Sequence, residues 1–146
     1  MIKDIRHTGI VVFDLDRSMH FYMEKLGFKV LKRMNESGSF TDQILGLENI
    51  EVTTVKMVIK NNQMIELLDF SMNNKVMKEK NINDIGPTHL AFTVDDVEKM
   101  YSDFVDDGIE FISEPKISPD GYAKVAFCKA PEGTFIELVE LLSVKS

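Results

Sequence analysis

The chain contains two similar stretches of sequence, and this duplication constrains the fold more than any other feature. The first stretch begins at His7 and the second at His89, 82 residues later. Each opens with a histidine followed by an apolar run, and each later carries a glutamate between two aliphatic residues, as Ile-Glu66-Leu and as Ile-Glu137-Leu. A duplicated sequence predicts two structural units of the same architecture.

The first copy has the pattern of one strand, one helix and three further strands. Alternating apolar residues predict a strand over residues 5–13, and apolar residues at helical spacing predict a helix over residues 15–26. Gly27 is expected to end that helix, because glycine readily adopts the left-handed conformation found there. Strands are then predicted over residues 28–33, 52–59 and 64–70, with a turn at residues 60–63.

The second copy repeats this order. Strands are predicted over residues 89–94, 109–112, 122–128 and 134–142, and a helix begins at Asp95 with Glu98 in a capping arrangement and ends at Gly108. His7 and Glu66 are 59 residues apart but His89 and Glu137 only 48, so we assign about 11 extra residues of the first copy to residues 35–47.

The predicted fold is therefore an α+β domain of two tandem βαβββ modules. It spans residues 1–146, with module 1 at about residues 1–70, a linker at about 71–86 and module 2 at about 87–146. The linker is rich in asparagine and lysine, and residues 74–80 are a candidate short helix within it.

Strand periodicity places the two glutamates on equivalent faces. Ile65 and Leu67 can pack against the helix of their module, which leaves Glu66 on the opposite face, and the same alternation applies to Glu137. A carboxylate among apolar neighbours is unfavourable by several kcal/mol unless it is paired or bound to a metal.

One such glutamate or histidine alone would be read as a solvent-facing or structural residue. The coincidence of both types at one register in two copies favours a divalent-metal site near a pseudo-twofold axis, with His7, Glu66, His89 and Glu137 as candidate ligands. His20 falls on the polar side of the first helix and is expected to be exposed, without a role in the site.

Composition excludes several classes of function. A net charge of −7 argues against binding nucleic acid through its phosphates. The single Cys128 rules out an intramolecular disulfide, which suits a reducing, cytoplasmic setting. No apolar run reaches the roughly 20 residues of a membrane-spanning helix, and the N-terminus lacks the apolar segment of a signal peptide.

The motifs around these residues resemble the vicinal oxygen chelate superfamily, which includes glyoxalase I, bleomycin resistance proteins and dioxygenases. The similarity covers nearly the whole chain and is carried by His7-Thr, by Asp14-Leu-x-Arg-Ser-x-x-Phe-Tyr, by Ile-Glu66-Leu, by His89-Leu-Ala and by Pro131-x-Gly-x-x-Ile-Glu-Leu. The resemblance implies paired βαβββ modules that form a U-shaped, partly closed sheet with a divalent ion inside.

Carried over to this chain, the resemblance implies His7, Glu66, His89 and Glu137 as ligands of nickel, cobalt, zinc or manganese. Dioxygenase and fosfomycin-modifying members use three protein ligands, so an acid at position 66 favours the isomerase and epimerase branch. The implied reaction is that of glyoxalase I: proton transfer beside a metal-chelated carbonyl or enediolate, in a hemithioacetal of a 2-oxoaldehyde. Glu137 is then the candidate base, with Glu66 on the other side of the pseudo-axis.

Two other functions remain open from the sequence. Residues 34–56 do not resemble the usual glutathione-dependent enzymes, which leaves the thiol carrier undecided. A relative of methylmalonyl-CoA epimerase would use the same metal with Glu48 or Glu51 as base, and a binding protein of the antibiotic-sequestering kind would do no chemistry.

The remaining expectations concern partners and substrate contacts. A small-molecule substrate and a homodimer are expected from the resemblance, with the metal site either within one chain or shared between subunits. Arg33 is a further candidate for binding a substrate carboxylate or phosphate, although an arginine at a strand end is more often a surface charge.

Overall fold

The computed structural model describes residues 1–143 and divides the chain into two compact units. The first unit comprises Met1–Met77 and the second begins at Lys78. Each unit has a four-stranded sheet built in the βαβββ order, so the predicted α+β class and the two tandem modules are confirmed. Within residues 1–143, every helix is too short or too polar to cross a membrane.

The sheet of the first unit has the strand order β1-β4-β3-β2. Strand β1 runs parallel to β4, and the other neighbours are antiparallel. The elements are β1 (Thr8–Val11), α1 (Leu15–His20) with a π-helical continuation (Phe21–Lys25), β2 (Lys29–Ser37), α2 (Ser39–Leu45), β3 (Glu51–Ile59), a single 3₁₀ turn (Lys60–Asn62) and β4 (Gln63–Phe70).

One face of this sheet is apolar and buried. Ile65 and Leu67 of β4 lie opposite Met57 and Val55 of β3, and the four side chains are at most 4% exposed. Tyr22 of the first helix is fully buried as well. The glutamate between Ile65 and Leu67 therefore faces the other side of the sheet, as the alternation predicted.

The second unit repeats this topology with the strand order β5-β8-β7-β6. Strand β5 runs parallel to β8, and Ile136 and Leu138 of β8 are fully buried. The elements are β5 (His89–Thr93), α3 (Val97–Asp106), β6 (Lys116–Ile117), β7 (Ala123–Lys129) and β8 (Phe135–Leu141).

The first helices of the two units differ by one residue. From Leu15 to Gly27 the chain advances twelve residues, but from Val97 to Gly108 only eleven. The extra residue is accommodated by the π-helical turn, in which the Leu26 amide donates to the carbonyl of Phe21 at 3.3 Å. Gly27 and Gly108 both have positive φ, 79° and 82°, and end the helices as predicted.

Three local expectations are wrong. Residues 109–112 do not form a strand; Phe111 makes one isolated bridge to Cys128, and the edge strand is the short β6. Residues 74–80 are not helical, since Asn74 has a φ of 63° and begins no helical turn.

Residues 35–47, to which the extra residues of the first copy are assigned, are ordered and hold the end of β2 and all of α2. The cap of α3 is Asp96, whose carboxylate accepts from the Lys99 amide at 2.9 Å, and Asp95 does not occupy that position.

Candidate functional site

The first histidine–glutamate pair lies on the face of the first sheet that is turned away from the helix. Glu66 is in the middle of β4, directly beside Gly9 of β1, and His7 immediately precedes β1. His7 Nε2 and Glu66 Oε1 are 3.7 Å apart, and the two side chains are 27% and 15% exposed. The duplicated strands therefore bring these two predicted residues together.

The second pair has the same arrangement in the second unit. Glu137 of β8 lies beside Ala91 of β5, and His89 is the first residue of β5. His89 Nε2 is 3.3 Å from Glu137 Oε2. Gly9 and Ala91 are themselves 82 residues apart, like the two histidines, so the two pairs occupy the same register in their modules.

The separations within the pairs fit ligands of one ion better than a charge-assisted hydrogen bond, which brings N and O to about 2.7–2.9 Å. Nitrogen and oxygen donors that lie about 2.1 Å from a metal at octahedral or tetrahedral angles are about 3.0–3.4 Å apart. The observed 3.3 Å falls in this range and 3.7 Å slightly above it. Imidazole and carboxylate also suit first-row divalent metals chemically.

The ring of His89 turns Nε2 towards Glu137 and Nδ1 towards Thr88. Thr88 Oγ1 donates its single hydrogen to the carbonyl of Ile82 at 2.9 Å, so it can only accept from His89 Nδ1, which is 3.5 Å away. A hydrogen on Nδ1 would suit this contact and would leave the lone pair on Nε2, the atom that faces Glu137, available to a metal. Sequence reasoning missed Thr88, although a hydroxyl residue just before the histidine was visible.

The ring of His7 shows a related feature. Its Nδ1 is buried and has no hydrogen-bond partner among residues 1–143. A buried polar atom without a partner costs about 1–3 kcal/mol. The atom without a partner is Nδ1, whereas the atom that faces Glu66 is Nε2, so His7 lacks the second contact that Thr88 offers to His89.

The two glutamates differ in what lies beside them on the neighbouring strand. Glu66 is directly opposite Lys56 of β3, whereas Glu137 is directly opposite Phe127 of β7. Phe127 also contacts the ring of His89 edge-on, with ring centroids 5.6 Å apart. Neither neighbour was identified from the sequence, although a lysine inside the apolar β3 was a signal.

The other candidate residues lie away from Glu66. Glu51, five residues along β3 from Lys56, is on the opposite face of the sheet and about 17 Å away along the strand. Glu48 lies in an exposed bend before β3, and Arg33 is opposite Val55, on the helix-side face. His20 is exposed, as predicted. These positions weigh against Glu48 or Glu51 as a base beside Glu66.

Within either unit, over residues 1–143, the site residues form pairs, and no third histidine, cysteine or acidic side chain completes a group of three. Each module thus supplies one nitrogen and one oxygen donor. The four-ligand set remains a prediction. Paired βαβββ modules that each carry a histidine–glutamate pair define a class of duplicated α+β proteins with a candidate metal site.

The chain belongs to the Glyoxalase/Bleomycin resistance protein/Dioxygenase superfamily, whose model matches residues 4–138. A probable lactoylglutathione lyase from Synechocystis is 31% identical to it over 95% of this chain and 96% of that protein.

Two solved structures extend the similarity to the fold. A glyoxalase family protein from Bacillus cereus has a TM-score of 0.88 at 25% identity, covering 98% of this chain and 97% of that one. The trypanothione-dependent glyoxalase I of Leishmania major has a TM-score of 0.64 at 28% identity, covering 95% and 87%. The family predicted from the motifs is therefore confirmed.

Proposed function

We propose that the protein is a divalent-metal-dependent lyase of the glyoxalase I type, which isomerises the hemithioacetal of a 2-oxoaldehyde to a 2-hydroxyacyl thioester. His7 and Glu66 from one module and His89 and Glu137 from the other would hold the ion, either within one chain or across two subunits of a homodimer. Imidazole nitrogens and carboxylate oxygens fit nickel, cobalt, zinc or manganese.

The bound ion would act as a Lewis acid that stabilises negative charge on the substrate oxygens. Glu137 would take the proton from the carbon that bears sulfur and return it to the adjacent carbon, so that the reaction is a redox-neutral isomerisation. Phe127 would give Glu137 an apolar neighbour on the adjoining strand, which would favour return of the same proton to the substrate once the substrate covers the site. Glu66 would serve mainly as a ligand.

The observation that carries this proposal is the matching register of the two pairs. Gly9 lies beside Glu66 as Ala91 lies beside Glu137, and each histidine Nε2 faces the glutamate of its own module. A pure binding protein has no need for this duplication of donors. The lactoylglutathione lyase and glyoxalase I names of the relatives support the same reaction class.

The first test measures bound metal in the purified protein and its turnover of a methylglyoxal hemithioacetal. We expect stoichiometric divalent metal and turnover in the wild type, and loss of metal in His7→Ala and His89→Ala. His20→Ala is the matched control, because His20 is exposed and outside both pairs, and it should keep both properties.

Other outcomes would identify another function. Protein that contains no metal and takes none up would be a small-molecule-binding member of the family. Metal-loaded protein that exchanges the C2 proton of an acyl-CoA but leaves hemithioacetals unchanged would be an epimerase.

A further inference from the structure

Three lysines share the sheet face that carries Glu66. Lys56 of β3 lies directly opposite Glu66, and Lys32 of β2 lies directly opposite Lys56. Residues directly opposite in an antiparallel pair have Cβ atoms about 4.5–5.5 Å apart on the same face. Lys29 lies opposite Val58, two residues along β3 from Lys56, and so joins the same face.

An irregularity in β2 is responsible for this arrangement. The pairing with β3 shifts between Val30 and Lys32, so that Leu31 has no partner in the ladder. In a regular strand Lys29 and Lys32, three residues apart, would point to opposite faces. The bulge rotates Lys32 onto the face of Lys29 and Lys56, which is how bulges commonly redirect side chains next to functional sites.

The three lysines repel one another, and none of them has an acidic partner among residues 1–143. Directly opposed like charges destabilise a sheet, and over residues 1–143 none of the three ammonium groups takes part in an ion pair or hydrogen bond. Yet the whole chain carries a net charge of −7. A concentration of unpaired positive charge on this face of an acidic protein suits an anionic ligand.

The second unit lacks this feature. Its counterpart of Lys56 is Phe127. The equivalent face carries two lysines, and both charges have a partner within the unit: Lys116, opposite Val125, has its ammonium 4.0 Å from Glu114 Oε2. The ammonium of Lys129 is 5.3 Å from the centre of the Phe135 ring. That contact is a cation–π interaction and uses the charge internally. The duplicated scaffold therefore does not by itself require lysines next to the glutamate.

We propose that Lys32 and Lys56, with Lys29 at the margin, bind an anionic group of the substrate's thiol carrier beside Glu66. The group is a carboxylate or a phosphate, since both are recognised by ammonium groups. The inference rests on the proposed lyase function in one respect: that function is the reason for assigning the anionic group to a thiol carrier. It adds a determinant of carrier choice, of which Lys56 lies at the end of residues 34–56, the segment that does not resemble the usual glutathione-dependent enzymes.

The test measures binding without turnover, by isothermal titration calorimetry of the metal-loaded protein. S-Methylglutathione presents carboxylates and S-methyl-coenzyme A presents phosphates, and neither thioether can form a hemithioacetal. Lys32→Met/Lys56→Met keeps the aliphatic stems and removes both charges. Lys60→Met/Lys80→Met is the matched control, because it removes two exposed lysines elsewhere in the chain.

We expect the dissociation constant of at least one probe to rise about tenfold or more in Lys32→Met/Lys56→Met. It should change within about twofold in the control, because exposed distant charges are screened. Lys32→Arg/Lys56→Arg should retain binding, and the thermal midpoints should show that all variants fold. The probe that responds identifies the anion as carboxylate or phosphate.

The proposal is overturned if both probes bind the methionine variant as they bind the wild type, or if neither probe binds the wild type. Failure of the lyase proposal looks different. Lysine-dependent binding without hemithioacetal turnover would remove the reaction and leave the anion site in place.

Discussion

The two modules agree where the histidines and glutamates lie and differ at their margins. Gly9–Glu66 and Ala91–Glu137 are the same pairing in the two units. Away from it, β2 has nine residues and is followed by α2, whereas its counterpart β6 has only two. The extra residue of the first helix is taken up in a π-helical turn. Duplication has kept the donor geometry while the edges of the sheets diverged.

The same comparison shows how one scaffold can give two equivalent carboxylates different surroundings. Glu66 has Lys56 beside it and Glu137 has Phe127. A lysine favours binding of anions, whereas an aromatic ring gives the carboxylate an apolar neighbour without a charge. We therefore expect the two glutamates to have different roles, which the following experiments can sharpen or refute.

The largest expected effect is on catalysis. Glu137→Gln should reduce kcat about a hundredfold or more, because the amide cannot accept the substrate proton. Glu66→Gln should reduce it less, provided that metal is still bound. Turnover is to be measured at matched metal content; near-equal losses, or a Glu137→Gln variant within twofold of the wild type, would refute the assignment of different roles.

The second comparison concerns the two cores. Leu67→Ala and Leu138→Ala should each lower the free energy of unfolding by about 2–5 kcal/mol, because both side chains are fully buried. Leu141→Ala, in the same strand as Leu138 but 69% exposed, should change it by no more than about 0.5 kcal/mol. Urea unfolding measures all three, and a cost under about 1 kcal/mol at either buried leucine would mean that its module is loosely packed.

A third comparison uses the buried residues Met57 and Cys128, which occupy equivalent places in the two modules. Burial raises the pKa of the Cys128 thiol from 9.0 to about 12, whereas methionine does not titrate. Above pH 9 the unfolded chain therefore loses this proton while the folded chain keeps it. Stability is fully present below pH 9 and declines towards pH 12, by at most about 1.4 kcal/mol per pH unit.

The measurement is the free energy of unfolding from pH 8 to 11 for the wild type and for Cys128→Ala. The wild type should lose stability more steeply, since the substitution removes the Cys128 thiol and no other titratable group. Parallel curves would show that the thiol is not desolvated in the folded protein.

The smallest expected effect is at the helix caps. Asp14 caps α1 and Asp96 caps α3, each by accepting from a backbone amide three residues later, at 3.1 Å and 2.9 Å. Each aspartate→alanine change should cost about 1 kcal/mol. Asp95→Ala is the control for Asp96 and should cost less than about 0.5 kcal/mol. If thermal unfolding showed a larger loss for Asp95→Ala than for Asp96→Ala, the cap would be Asp95, as the sequence predicted.

Strand interiors were predictable but strand partners were not. The faces on which Ile65, Glu66 and Leu67 lie follow from alternation alone, because each side chain of a strand points opposite to the next. The irregularity at Leu31, the isolated bridge of Phe111 and the non-helical residues 74–80 depend on which segments pair. Pairing is set by long-range packing that a local pattern does not contain. The homodimer, the cytoplasmic location and the four-ligand site remain predictions.

The sequence by itself determined the duplicated α+β architecture and the face on which Glu66 and Glu137 lie, because these follow from repeat spacing and strand periodicity. It also indicated the family, through the resemblance of its motifs. Only the tertiary structure decided which side chains stand beside the glutamates. Lys56, Lys32 and Phe127 reach those positions through strand register and a bulge. A register shift of one residue reverses the direction of every side chain on a strand. The local sequence of a strand is compatible with either register, so it does not decide between them.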